Sequence, residues 1–403
     1  MPLYQYKARD EAGKVVRGTM PAPSEEALGD KLKKMGYLAT SIKEIPPGIT
    51  VEGLFEKLKR VNYREVIMFN LQLAKMIHAG LPILTSLRIL SEQTEDKKMK
   101  QVLSDVARSV EGGENFSGAL ERHPRVFSQL YVNMVKAGEG SGKLEDVLTR
   151  LAEYNEKQEE LRQKIKTAIT YPIVLIIVGI LVSTFIVVFV LPKFIDIFVK
   201  ANVPLPLPTL ILHRISEFVR HDWYWAVLAT VVVAVGVRQY IRIPKGRTQF
   251  DQLKLKFPLT GRLVRQLLIS RFSRTLGTLL SSGVPILQSL EIVEQVIGNV
   301  ILARVVRNVQ ESVSKGESVN GPLKVSGEFP PMPVQMIAVG EETGALDEML
   351  GEISDFYDMA VDYSVKRLTA LIEPIFLIIM GVMVGFIMAS LLLPMFKMVR
   401  LIH

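Results

Sequence analysis

Apolar residues run without a single charge from Pro172 to Pro192 and again from Pro374 to Pro394, 20 residues apart in each case. At about 1.5 Å per helical residue each stretch is roughly 30 Å long, the thickness of a bilayer core. A helix of that length buried in a water-soluble protein would carry a polar face. Both stretches are therefore read as membrane spans that begin and end at proline. A third apolar run, Trp223 to Ile241, is bordered by Trp223, Tyr224 and Trp225 at one end and by Arg238, Tyr240 and Arg242 at the other. That border is the aromatic and basic fringe of a membrane interface. It is the weakest span of the three, because Arg238 and Gln239 must snorkel.

The two proline-bounded spans end two copies of one unit. Gly80, Pro82, Ile83, Leu84, Ser86, Leu87, Gly113 and Glu114 recur 203 residues later as Gly283, Pro285, Ile286, Leu287, Ser289, Leu290, Gly316 and Glu317, as does Phe69 in Phe272. Gly138, Glu139, Gly142, Leu144, Pro172, Leu191, Pro192 and Phe194 recur 202 residues later as Gly340, Glu341, Gly344, Leu346, Pro374, Leu393, Pro394 and Phe396. One single-residue gap reconciles every coincidence, which identifies a tandem duplication. Both copies run from a soluble part to a span, so the intervening third span is needed to bring the second copy back to the starting side. The repeats are parallel.

Residues 1–45 carry a different pattern. Leu3 to Ala8 alternates, Glu11 to Lys14 reads as a turn, Val15 to Thr19 as a second strand and Ala39 to Ile45 as a third. Between them Ser24 to Met35 reads as a helix capped by Ser24 and stopped by Gly36. Pro46-Pro47-Gly48 marks a linker. Such a ββαβ module has little core of its own and is expected to lean on a partner or on the next domain. The soluble half of each repeat reads as helical throughout. A helix from about Arg64 ends at Gly80 and Pro82 restarts the next; more follow over Lys97 to Glu111 and Phe127 to Ala137. The helix beginning at Leu144 meets no break before Tyr171. It is expected to continue into the membrane as far as Leu191, on the order of 70 Å. The predicted architecture is mainly α with three transmembrane helices. It comprises a module at 1–48, a helical bundle at 60–169, a span at 170–192, a loop with an amphipathic helix at 193–222 and a second span at 223–242. A second bundle follows at 262–370, then a third span at 371–394 and a tail at 395–403.

Charge orients this arrangement. Arg162, Lys164 and Lys166 precede the first span, Arg238, Arg242, Lys245 and Arg247 follow the second, and Lys366 and Arg367 precede the third. The opposite side holds Lys193, Lys200, Arg214, Arg220, Lys397 and Arg400. The bias favours a cytoplasmic N-terminus, two cytoplasmic bundles and an external C-terminus. A net charge of +8 collects at these inner flanks, where anionic lipid accounts for it without nucleic acid. A chain 48% hydrophobic with mean hydropathy +0.25 is too apolar for an ordinary soluble protein, and at 22% charged residues too polar for a polytopic transporter. It contains no cysteine, which removes disulfides, thiolate metal sites and thiol catalysis. Residues 1–20 lack the apolar centre of a cleaved signal peptide.

Candidate chemistry is sparse. AGEGSGKL, from Ala137 to Leu144, is close to a phosphate loop, but only three residues separate Gly138 from Gly142, and Leu144 stands where Ser or Thr would bind magnesium. Its copy VGEETGAL has no lysine. These segments are instead read as helix junctions. Gly138 and Gly340 would end one helix, and Ser141 or Thr343 would help start the next, with Gly142 and Gly344 between. Glu139 and Glu341, with Glu342 beside them, are not accounted for by capping; they are solvated turn residues, contacts for a partner, or inter-helix clamps. The histidines show no metal-ligand spacing. His213 and His221 fall two turns apart on an amphipathic stretch, an interface pattern. Glu373, next to Pro374, is a carboxylate at the edge of hydrocarbon; it is a functional candidate, or it simply reaches water, Lys366 or Arg367. The spans are interrupted by small residues such as Gly179, Ser183, Gly381 and Gly385, which suit helix packing and an oligomeric membrane core better than a transport path. A membrane enzyme would need a catalytic set that is not there, and no cofactor is expected.

The motifs YKARDEAGKVVRG, AGLPIL with SGVPIL, HPRVF, AGEGSGKL, FPP followed by QMIAVGEETGALDEML, and LLLPMF occur in this order over nearly the whole chain. They resemble the PilC/GspF family, inner-membrane platform proteins of type IV pilus assembly and type II secretion. The resemblance implies two cytoplasmic helical-bundle domains, three spans and no enzymatic activity. It also implies docking to a hexameric assembly ATPase, handling of pilin or pseudopilin by the membrane part, and contact with other inner-membrane assembly proteins. The alternative class is a transporter or channel subunit. Within the family reading Gly138, Glu139, Gly142, Gly340, Glu341, Glu342 and Gly344 are partner-contact candidates, and Pro172, Pro192, Pro374 and Pro394 are membrane hinges.

Overall fold

The structure, a computed structural model, describes residues 3–9, 15–45, 61–200, 205–258 and 260–402. The expected turn at Glu11 to Lys14, the linker at Pro46-Pro47-Gly48 and His403 lie outside those residues. The N-terminal module is a three-stranded antiparallel sheet of order β2-β1-β3, with β1 at Leu3–Arg9, β2 at Val15–Pro21 and β3 at Leu38–Ile45. Helix α1 (Glu25–Lys34) starts at Ser24, whose hydroxyl accepts from the Ala27 N–H at 3.2 Å. Leu28 and Leu32, one turn apart, are buried with Tyr4 and Ala22. Gly36, at φ +80°, turns the chain out of the helix, and the Tyr37 N–H closes on the Leu32 carbonyl at 2.9 Å.

The first repeat contains α2 (Tyr63–His78), α3 (Ile83–Gln93), α4 (Lys97–Glu111), α5 (Phe116–Glu121), α6 (Gln129–Ser141) and α7 (Leu144–Phe185). A π-helical turn (Ile186–Val190) leads into α8 (Leu191–Lys200), followed by α9 (Leu207–His221), α10 (Trp223–Arg242) and α11 (Pro244–Lys256). The second repeat contains α12 (Gly261–Ser281), α13 (Ile286–Val296), α14 (Val300–Ser314), α15 (Asn320–Ser326), α16 (Pro331–Thr343) and α17 (Leu346–Ile402). Among the described residues three helical stretches are long and apolar enough to cross a membrane: Leu144–Lys200, Trp223–Arg242 and Leu346–Lys397.

The duplication is structural down to single contacts. Gly80 and Gly283 take the left-handed conformation at φ +79° and +82°, and the next N–H, of Leu81 or Val284, closes on Met76 or Leu279 at 3.0 Å in both copies. The Phe69 and Phe127 rings lie 5.9 Å apart, and their counterparts Phe272 and Phe329 lie 5.1 Å apart. Each pair joins the first helix of its bundle to the loop before the helix at α6 or α16.

Two expectations about glycine and proline are corrected. Helix α6 starts at Gln129, behind the Ser128 cap, and runs past Gly138 to Ser141; α16 likewise runs past Gly340 to Thr343. The helix stops are Gly142 and Gly344, at φ +70° and +73°. Gly138 and Gly340 are needed for close approach instead. A Cβ on Gly138 would lie 3.0 Å from Val147 Cβ, and one on Gly340 would lie 2.9 Å from Leu346 Cα. Nor do Ser141 and Thr343 start the next helix, since their hydroxyls donate back to the Ala137 and Val339 carbonyls, each at 2.8 Å.

The prolines do not bound the spans. Pro172 lies inside α7, Pro374 and Pro394 lie inside α17, and Pro192 is the second residue of α8. Each proline forfeits one backbone bond, but in hydrocarbon the alternative of an opened backbone forfeits several. At Pro192 the ring would press on the carbonyl four residues back, Val188. The chain widens there into the π-turn, with the Leu191 N–H reaching the Ile186 carbonyl five residues back.

These contacts make glycine substitutions unequal. Gly340→Val should lower the thermal unfolding midpoint in detergent, with a loss on the order of 1–3 kcal/mol from overpacking. Gly140→Ala, where an added Cβ meets nothing within 4 Å, should be neutral or stabilising by about 0.5–1 kcal/mol.

Candidate functional site

Glu139 lies in the last turn of α6 with its carboxylate turned inward. Oε1 accepts from the Phe116 N–H at 2.6 Å, and Oε2 accepts from the Ser117 N–H at 3.1 Å and from the Ser117 hydroxyl. Glu341 repeats the arrangement. Oε1 accepts from the Val319 N–H at 2.5 Å, and Oε2 from the Asn320 N–H and Nδ2 at 3.1 and 3.0 Å. Helices α5 and α15 begin at these amides, and neither Asn115 nor Val319 supplies a side-chain cap. A carboxylate from the last turn of the next helix therefore satisfies the open N–H groups and meets the positive end of each short helix. Glu139 and Glu341 do cap helices, and their carboxylates are engaged within the protein. Of the remaining junction residues, Gly142 and Gly344 are exposed stops, and Glu342 projects into solvent.

From these junctions α7 and α17 run side by side toward the membrane. A cavity of about 260 Å³ between them is lined by Lys157, Glu160, Leu161 and Lys164 of α7 and by Asp358, Met359, Asp362, Tyr363 and Lys366 of α17. All but Asp358 are the same four positions of the two repeats, so the pairing is quasi-two-fold. The cavity's lining is largely charged. Lys164 bonds Glu160 at 2.7 Å and holds that carboxyl below its ordinary range, while Lys366 bonds Asp362 at 2.7 Å. One turn farther from the membrane Lys157 reaches Asp355 at 2.7 Å and the Tyr154 hydroxyl lies 3.3 Å from that of Thr275.

The second bundle is fastened to its long helix more firmly than the symmetry requires. Arg274 of α12, whose side chain is only 5% exposed, pairs with Asp358 of α17 and donates to the Ser354 hydroxyl at 3.2 Å; Ser270 adds a bond to Asp358 at 2.5 Å. The position equivalent to Arg274 in the first repeat is Leu71. Nearby, Gly277 lets α12 approach closely, since a Cβ there would lie 3.1 Å from Leu350 Cβ.

Within the apolar zone the helices interlock sterically. A Cβ on Gly179 would lie 2.6 Å from Phe376 Cζ, whereas the equivalent Gly381 faces open space, as does Gly385. Beyond the π-turn, α9 folds back onto the ends of both long helices. Its Thr209 hydroxyl donates to the Ser390 carbonyl at 2.6 Å, and Leu212 is buried with Val187, Leu191, Ile195 and Ile387. His213 of α9 lies 3.6 Å from Glu217. No residue of α10 is buried. Glu373 is exposed on α17 and forms no hydrogen bond or ion pair among the described residues; Lys366, one of its expected partners, is held by Asp362.

The family pattern described as type II secretion system (T2SS), protein F matches residues 69–192 and 272–394, and that family's N-terminal domain matches residues 1–43. The two larger matches start at the paired Phe69 and Phe272 and end at Pro192 and Pro394. A type IV pilus assembly protein PilC from Thermus thermophilus is 41% identical over 401 residues, covering 99% of this chain and 98% of its own. A PilC from Myxococcus xanthus is 36% identical, covering 98% of this chain and 94% of its own. A type II secretion system protein F from Xanthomonas campestris is 33% identical over the full length of both.

If Glu139 and Glu341 are clamps, Glu139→Ala and Glu341→Ala should each cost about 1–2 kcal/mol in thermal unfolding. Glu139→Gln, which keeps an acceptor, should recover part of the loss. Hydrogen exchange would localise it: Phe116 and Ser117 amides should exchange faster in Glu139→Ala, with no change at Val319 and Asn320.

Proposed function

The chain belongs to the type II secretion system protein F family, and from that premise we propose that it couples a cytoplasmic hexameric assembly ATPase to the movement of pilin or pseudopilin subunits out of the inner membrane. It is an inner-membrane protein with a platform role in a type IV pilus or type II secretion machine. The observation that carries the coupling is mechanical. Each bundle enters the bilayer through one continuous helical stretch, 57 residues from Leu144 to Lys200 and 57 residues from Leu346 to Ile402. A displacement of a bundle is thereby delivered to the span that follows it.

The Lys/Arg bias supports bundles and N-terminus on the cytoplasmic side and the C-terminus outside. The chain works as a coupler in a homo-oligomer, beside other inner-membrane assembly proteins. Because the Glu139 and Glu341 carboxylates are engaged, ATPase docking at the two junctions falls to their exposed flanks, Gly140 and its repeat equivalent Glu342. Glu373, exposed and unpaired among the described residues, is the carboxylate available to a subunit in the membrane. The four prolines act as hinges only by local adjustment of unbroken helices.

Insertion of four glycines between Gln158 and Gln163 tests the coupling. Filament assembly should be lost while the protein still inserts in the membrane and copurifies with its ATPase. Normal assembly by that variant would rule force transmission out. Glu342→Lys should reduce ATPase copurification, and Glu341→Gln should leave it near the parent level.

A further inference from the structure

Helix α1 is acidic in its first turn, at Glu25 and Glu26, and basic in its last, at Lys31, Lys33 and Lys34. That polarity complements the helix dipole and needs no partner. The dipole does not explain the two residues that follow. Met35 is 54% exposed and Leu38 is 72% exposed, on either side of the left-handed Gly36. The module has its own core, Tyr4, Ala22, Leu28 and Leu32, and these two side chains lie outside it. Met35 follows Lys34 directly and stands one turn from Lys31, so the module ends in an apolar tip with a basic rim. None of the three lysines forms an ion pair among the described residues.

We propose that this tip docks the N-terminal module on an anionic lipid surface. Met35 and Leu38 enter the boundary between headgroups and acyl chains, and the three ammonium groups stay among the lipid phosphates. An acidic protein would match the lysines but leave the exposed apolar pair unaccounted for. A bilayer matches both, and the same chain carries three helices able to cross one.

The chain has no cysteine, so Met35→Cys carries a single environment-sensitive fluorophore in the full-length protein. The protein is placed in nanodiscs of phosphatidylcholine alone or of phosphatidylcholine mixed with phosphatidylglycerol. The expected result is blue-shifted emission, quenched several-fold by a lipid-borne quencher, in the anionic discs only. High salt and the triple change Lys31→Glu, Lys33→Glu, Lys34→Glu should each abolish it. The triple Lys→Gln change, gentler on the helix end, should also remove most of it, and Leu38→Ser should weaken it with circular dichroism unchanged. Equal emission in both discs, a shift that survives either lysine triple, or a shift seen only on adding an acidic protein would overturn the proposal. None of these readouts involves the ATPase or filament assembly, so failure here is separable from failure of the coupling mechanism.

Discussion

A polypeptide that enters a bilayer must take its backbone hydrogen bonds with it, because hydrocarbon offers no replacement for any that are left open. This constraint organises the molecule. It keeps α7 and α17 helical through prolines that would end a helix in water, and it settles the conflict at Pro192 by widening one turn. It also leaves each bundle attached to a rod and not to a flexible connection. The bundle ends can then be fastened by polar groups and the membrane ends by steric fit, as with Lys157 and Asp355 at one end and Gly179 and Phe376 at the other.

Duplication supplied the scaffold twice, and divergence then loaded it unequally. The glycine stops, the Phe pairs and the glutamate clamps are common to both copies. The ion pair of Arg274 with Asp358 belongs to the second alone, while His78 and Glu145, 2.6 Å apart in the first, are replaced by Ser281 and Asp347. Where the two long helices meet, equivalent positions face each other, so the pair behaves as a heterodimer of related halves. A cavity lined by balanced charges lets such a surface shear with less loss than an apolar seam, since water can replace the partners of an exposed ion pair.

Much of this was legible in the chain. The repeat, the three spans, the glycine turns at Gly80 and Gly283 and the capped helix after Ser24 rest on local rules that depend on a few neighbouring residues. What escaped was long-range or counter to a local rule. Glu139 acts on amides 22 residues earlier, across a turn and a helix, and no spacing rule reaches that far. Helix α5, at six residues, is too short to show a period. Gly138 looked like a stop because a glycine near a helix end usually is one; only the approach of Val147 reveals its use. The prolines misled because rules learned in water assume that an opened backbone can be solvated.

The exposed helix α10 has a different consequence. With none of its residues buried by the rest of the chain, its tilt within one protomer answers to hydrocarbon thickness and to its Trp and Arg borders, not to packing against the chain's other helices. A thinner or thicker bilayer would lean α10 while the interlocked pair stays upright. The protein thus presents the membrane with one compliant helix and one stiff pair, and its lipid environment should reposition the connection to α11 without disturbing the rods.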